Sequence, residues 1–315
     1  MSKFKEIDLS KLNRYSISDR LSKVNEKAFA QVQETELSSF WNSVPQILKA
    51  SEMQELLNHC AEAVRRRKPI IVGMGGHVIK CGLAPLLIKM INMGVIKGIL
   101  SNNSVVIHDY EIAHFGNTSE DVTTALADGS FGMAIETADG INHIITKASE
   151  EGLGYGEAVG KAISESDAPY KDKSILAAAY QKQIPFTVHV AVGTDIIHQH
   201  ASADGKAIGD CSLRDFRIFC NSLIELNDGG VFLNFGSAVI LPEVFLKAIT
   251  VVRNLGYPLK DFYTAVFDMN MHYRPQTNVV DRPTMTGGKG YYFVGHHEIM
   301  IPLFLLSLRE KILGK

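Results

Sequence analysis

Ile70-Ile71-Val72-Gly73-Met74-Gly75-Gly76-His77 decides the fold, because an apolar, β-branched run passes directly into a glycine turn and then into a helical pattern. Five further runs share that apolar texture: KGILSN, PFTVHV, GGVFLNF, DFYTAVF and GYYFVG. Strands apolar at consecutive positions are buried on both faces, so helices must cover both sides of one sheet. The spacing predicts helices over 77–93, 105–126, 173–182, 211–226, 239–255 and 297–312. Alternation of short strands with helices is the mark of parallel βαβ units, giving an α/β, Rossmann-like sheet over residues 67–315. Residues 1–66 read as an N-terminal helical arm, with Ser18, Leu21, Val24 and Phe29 at helical spacing. Ser38 then caps a run through Phe40, Trp41, Val44 and Ile47, and a third helix ends at Arg65, Arg66 and Arg67. That basic triplet complements a helix dipole and faces solvent. Segments 127–170 and 268–290 are rich in Gly, Asp and Thr and read as long, site-bearing loops.

The 315 residues suffice for a substantial core, and 46% hydrophobic with 21% charged residues is ordinary globular composition. Lys and Arg number 32 against 34 Asp and Glu, a formal charge of −2, which offers no field for nucleic acid. The apolar stretch from Ile299 to Leu306 is far shorter than the roughly 20 residues that cross a bilayer, so no membrane association is expected. The opening MSKFKEIDLSKLNRYS has no apolar signal core, which predicts a cytoplasmic location. Cys60, Cys81, Cys211 and Cys220 lack CxxC spacing and read as reduced thiols.

Ligands of doubly wound sheets bind at the carboxyl ends of the strands, so candidate residues are sought there. The turn Gly75-Gly76-His77 would let backbone approach a phosphate, or simply make a tight turn; Val78 stands where a dinucleotide fingerprint has its third glycine. Ser101-Asn102-Asn103-Ser104 ends the second strand and offers either ribose contacts or a helix cap, with His108, Asp109 and Glu111 on the helix behind it. His189, Asp195, His198 and His200 follow the PFTVHV strand. They could bind a metal, although His198 and His200 point away from each other on either a strand or a helix. Asp195 could instead anchor a cationic amine or cap a helix. Asn234-Phe235-Gly236-Ser237-Ala238 repeats the strand, small-residue turn and helix arrangement. Lys289 lies on a glycine-flanked polar stretch, where a lysine is either a solvated charge or, once desolvated, a nucleophile.

From about residue 65 to the C-terminus these segments resemble deoxyhypusine synthase. Gly73, Ile79, Gly82 and Leu83 coincide with that family's first strand, turn and helix, and Gly75-Gly76-His77 falls on its NAD-contacting run. Ser101 to Val105 falls on a second cofactor turn, and His108-Asp109 on an acidic pair. Ile184-Pro185 through Gly193-Thr194-Asp195 is similar to the segment whose aspartate holds the spermidine amine. Gly236-Ser237-Ala238 lies near the family's three-glycine turn, and Arg282-Pro283 with Gly288-Lys289 is similar to the loop whose lysine forms an imine. His296 and the helix after it match the final strand and helix that touch the cofactor. Ile240-Leu241 stands where the family has a Lys-His-His run.

The resemblance implies NAD as cofactor and a homotetramer. It implies Lys289, Asp195 and His198 as catalytic residues, and a cofactor site of Gly75, Gly76, His77, Ser101, Asn102, Asn103, Asp109, Gly236, Ser237 and His296. The expected reaction is NAD-dependent transfer of an aminobutyl or other alkylamine group from a polyamine, through a lysine imine, to an acceptor amine. Two other readings stay open: a metal-assisted hydrolase using His189, Asp195, His198 and His200, and a noncatalytic nucleotide-binding protein.

Overall fold

A computed structural model describes residues 10–26, 40–41 and 44–314. Six of its strands form one all-parallel sheet: β2 (Ile70–Met74), β3 (Ile96–Asn102), β5 (Phe186–His189), β6 (Val231–Phe235), β7 (Phe262–Asp268) and β8 (Gly288–Val294). Their spatial order is β5-β3-β2-β6-β7-β8. Counted along the chain within the sheet, this is the 3-2-1-4-5-6 order of the Rossmann fold, with winding reversed between β2 and β6. The expected α/β fold is therefore the observed one, and all six apolar runs are strands.

Side chains alternate between two cores across the sheet. Ile70, Val72, Met74, Leu233, Phe235, Phe267 and Phe293 point to one face, where helices α1 (Leu48–Arg65), α3 (Ala84–Asn92) and α11 (His297–Leu313) bury Leu56, Leu87 and Phe304. Ile71, Leu100, Phe232, Val266 and Tyr292 point to the other, against Phe219 of α9 (Gly205–Leu223) and Phe245 of α10 (Ile240–Asn254). The Phe232 and Phe245 rings stack there with centroids 3.9 Å apart.

Several expected elements are revised. The helix over 77–93 is two helices, α2 (Gly76–Lys80) and α3, with Pro85 in the first turn of α3 and Gly82 left-handed between them. The helix over 105–126 stops early: α4 (Asn103–Phe115) ends at Gly116, whose φ of 67° supplies a left-handed cap. Strand β4 (Asn117–Glu120) and helix α5 (Val122–Asp128) follow. The supposed loop 127–170 contains α6 (Ile135–Glu151) and α7 (Tyr155–Glu165), and α8 (Ile175–Gln181) comes after it. Segment 268–290 is likewise structured, with a helical turn at Tyr273–Pro275, a π-helix at Gln276–Asp281 and a 3₁₀ turn at Pro283–Thr286.

The helix expected around Ser18 to Val24 is instead a 3₁₀ turn, Ile17–Asp19, and strand β1 (Ser22–Asn25), which pairs antiparallel with β4. Cross-strand pairing with β4 replaces helical self-pairing there. The run through Val44 and Ile47 is not helical up to Ile47; that residue is the extended N-cap of α1. Phe29 and Ser38 lie outside the described residues.

Candidate functional site

Because the six strands are parallel, the turns after β2, β3, β5, β6 and β8 share one rim. Gly75 N–H donates to the Phe235 carbonyl at 3.0 Å, tying the β2 turn to the β6 turn at the reversal point. A Cβ on Gly75 would lie 2.4 Å from the Gly236 carbonyl oxygen, one on Gly76 would lie 2.5 Å from the Ser104 hydroxyl, and one on Gly236 would lie 2.5 Å from the His297 ring. Backbone and side chains from four turns thus meet where only glycine fits. The His77 and His297 rings sit 5.4 Å apart over this junction.

Toward β5 the rim opens into a cavity of about 190 Å³ lined by Arg20, Lys80, Ser104, His108, Glu111, Glu120 and Asp195, among others. Its charges are arranged in layers. Arg20 makes a bidentate pair with Glu111 at 2.8 and 2.9 Å, with the two side chains 4% and 1% exposed. Glu111 also accepts from the hydroxyls of Thr118 at 2.5 Å and Thr137 at 2.9 Å. Burial alone would raise its pKa, but the Arg20 guanidinium outweighs that and holds the carboxyl below its usual range. His108, hydrogen-bonded through Nδ1 to Thr118 at 2.7 Å, is pushed down by burial to about 4 and is neutral near pH 7. Asp195 is pushed up by burial, with His198 pulling the other way; their side chains stand 3.9 Å apart. Asn103 lies beside both the Asp195 carboxyl and the Tyr155 hydroxyl, favouring their ionised forms, yet neither of its amide atoms completes a hydrogen bond of ordinary geometry.

That shortfall recurs around the rim. Asn234 Oδ1 at the end of β6, Asp268 Oδ2 at the end of β7, His198 Nε2 after β5 and His297 Nδ1 after β8 are all buried without a partner. Each such atom costs about 1–3 kcal/mol unless something meets it. Their gathering at the carboxyl ends, where this architecture takes its ligands, fits a polar molecule lying across these turns.

The expected residues divide accordingly. Gly75, Gly76, His77, Asn102, Asn103, Asp195, His198, Gly236, Ser237 and His296 are on this rim. Ser101 is the penultimate residue of β3 there too, but its hydroxyl is buried toward the Thr187 carbonyl at 3.5 Å. Asp109 is spent elsewhere: wholly buried, it accepts from Ser174 Oγ at 2.5 Å and from the N–H of Ile175 and Leu176, capping α8. Burial raises its pKa to about 6 against those donors. His198 Nδ1 accepts from Gly193 N–H at 3.1 Å, fixing the turn that carries Asp195.

Lys289 is a correction. It is the second residue of β8, in register with Tyr263 near the start of β7, and so sits at the amino edge of the sheet, on the opposite rim. Its ammonium is half exposed and pairs with Glu55 of α1 at 2.6 Å. Lys80, at the end of α2, lines the cavity on the carboxyl rim. The four-residue metal cluster is also not assembled: His189 Nε2 meets Thr187 Oγ1 at 3.2 Å, His200 Nε2 meets the Gly132 carbonyl at 2.8 Å, and His198 serves its own turn. Among the described residues, the three donors close enough to share an ion are instead His77, Cys81 and Glu298. Arg20, Lys80, Glu120 and Tyr155 were not singled out by the sequence, since no motif marks them.

No protein-family model and no curated protein matches this sequence. Solved structures do share the fold. A candidate deoxyhypusine synthase from Entamoeba histolytica aligns at 11% identity over 87% of this chain and 93% of its own, with a TM-score of 0.50. ArgZ, an arginine dihydrolase of the ornithine-ammonia cycle in cyanobacteria, aligns at 15% identity and a TM-score of 0.50 over 85% of this chain. This chain spans 33% of the length of ArgZ. At these identities the likeness is one of fold. No helix among the described residues is long and apolar enough to cross a membrane.

Proposed function

We propose that this protein is an enzyme that binds NAD across the β2–β6 reversal and acts on a small amine held at Asp195. The observation that carries the reading is the concentration of partnerless buried polar atoms on His198, Asn234, Asp268 and His297 at the carboxyl ends of one Rossmann-ordered sheet. Asn102, Ser104 and the Gly236-Ser237 turn would flank the dinucleotide, with His77 and His297 over its middle. When bound, NAD would accept hydride from the carbon bearing the amine. Asp195 would hold the substrate ammonium through a charge-assisted hydrogen bond, which is strong in a cavity closed to water. An ammonium there would also lower the raised pKa of Asp195. The proton lost as the amine becomes an iminium would pass to Asp195, which burial makes more basic than an ordinary carboxylate, rather than to His108, which burial holds near 4. A covalent lysine step would fall to Lys80, since Lys289 is on the other rim.

Titration of the purified protein with NAD and spermidine, following cofactor binding by calorimetry and NADH by absorbance, tests this. Saturable NAD binding, and an amine affinity reduced about tenfold or more in Asp195→Asn, are expected. Absence of both NAD binding and reduction removes the reading.

A further inference from the structure

We infer that His77, Cys81 and Glu298 form a binding site for a divalent, borderline-soft metal ion, with zinc as the best fit. The three side chains come from two elements that the sheet brings together: His77 and Cys81 from the turn after β2, Glu298 from the first turn of α11. Cys81 N–H donates to the His77 carbonyl at 2.9 Å, so the two residues are one helical turn apart and face the same way. One donor atom of each residue lies within 4.8 Å of the other two, and Cys81 Sγ is 3.8 Å from Glu298 Oε2. Zinc bonds of about 2.0–2.3 Å in a tetrahedron place neighbouring ligand atoms roughly 3.5 Å apart, so small side-chain rotations close the site.

The donor set decides the class of ion. One imidazole, one thiolate and one carboxylate suit zinc or cobalt and disfavour calcium and magnesium, which take oxygen ligands. Three protein ligands leave a fourth position for water or a substrate atom, as in catalytic rather than structural zinc sites. Forming the sulfur–metal bond releases the thiol proton to solvent. His296 Nδ1 stands 3.7 Å from Glu298 Oε1 on the solvent side of the site. This site lies apart from the Asp195 cavity but shares His77 with the proposed dinucleotide path, so its test uses the metal alone, without NAD.

Metal-stripped protein titrated with Co²⁺ alone should take up one equivalent and show thiolate-to-cobalt charge-transfer absorption, which Zn²⁺ then displaces. The absorption should vanish in Cys81→Ser and persist in Cys220→Ser. Zn²⁺ affinity, measured by chelator competition, should fall at least tenfold in both His77→Gln and Glu298→Gln. Glu298 is exposed on the first turn of a long helix, so its variant keeps the test valid should Cys81→Ser fold poorly. No charge-transfer band with wild-type protein, or zinc binding unchanged in both His77→Gln and Glu298→Gln, would overturn the assignment.

Discussion

Glu111 is held by one guanidinium and two hydroxyls, and it behaves oppositely to the buried carboxyl of Asp215. Replacing Arg20 by Ala leaves the Glu111 charge buried and unpaired, and should cost about 3–5 kcal/mol in urea unfolding. Because the folded Glu111 pKa lies below its unfolded value, its contribution is present above the unfolded carboxylate pKa and lost as pH falls through the folded one. Asp215 runs the other way. Burial pushes it up to about 7 even though Gly156 and Val188 N–H groups donate to it. Its stabilising share is complete below the unfolded pKa and is lost as pH rises toward 7. Asp215→Asn, which keeps an acceptor oxygen, should flatten the fall in stability between about pH 4 and 7 in denaturation curves. None of these couplings was visible beforehand. Arg20 and Glu111 are separated by 91 positions, and nothing local in either neighbourhood announces the pair.

Elements were legible where apolar residues run consecutively and obscure where glycine serves packing. Every strand of the parallel sheet was found, while the β1–β4 pair was missed, and α6 and α7 were taken for loop because glycines and short polar residues dominate the reading. Buried Ala138, Ile141, Ile145 and Ala148 do recur at helical spacing in α6. Gly156 in α7 is there because a Cβ would lie 2.0 Å from the Phe186 carbonyl oxygen, so it admits the helix against β5. The β2 turn makes a similar demand. Gly75→Ala would drive a methyl into the Gly236 backbone and should destabilise the fold by about 1–3 kcal/mol, with NAD binding lost in the folded fraction. Lys289→Ala should leave NAD and amine binding unchanged and cost at most about 1 kcal/mol by thermal unfolding, since its pair with Glu55 is exposed to solvent. A lysine imine at that position would make the same variant inert.

For the molecule as a whole, parallel strands with helices on both faces were readable from composition and order, but where the winding reverses was not. That reversal puts residues 75 and 236 in contact, a pairing of distant turns that arises only when strands are ordered in space. A ligand bridging the two turns should stabilise the entire chain. NAD at a hundredfold excess over its dissociation constant should add about 2.7 kcal/mol, read as a rise in melting temperature that Gly75→Ala abolishes. The outermost strand beyond β3 has a further consequence. On the side of β5 away from its neighbour, Val188 N–H is taken by Asp215, Ser212 Oγ donates to the Val188 carbonyl, and Val190 N–H donates to Ser212 Oγ. Helix α9 thus occupies the hydrogen-bonding ladder that an exposed margin would offer to a foreign chain. Self-association by extending the sheet is blocked there, and the margin is guarded against fibrous aggregation without any proline or extra charge on the strand itself.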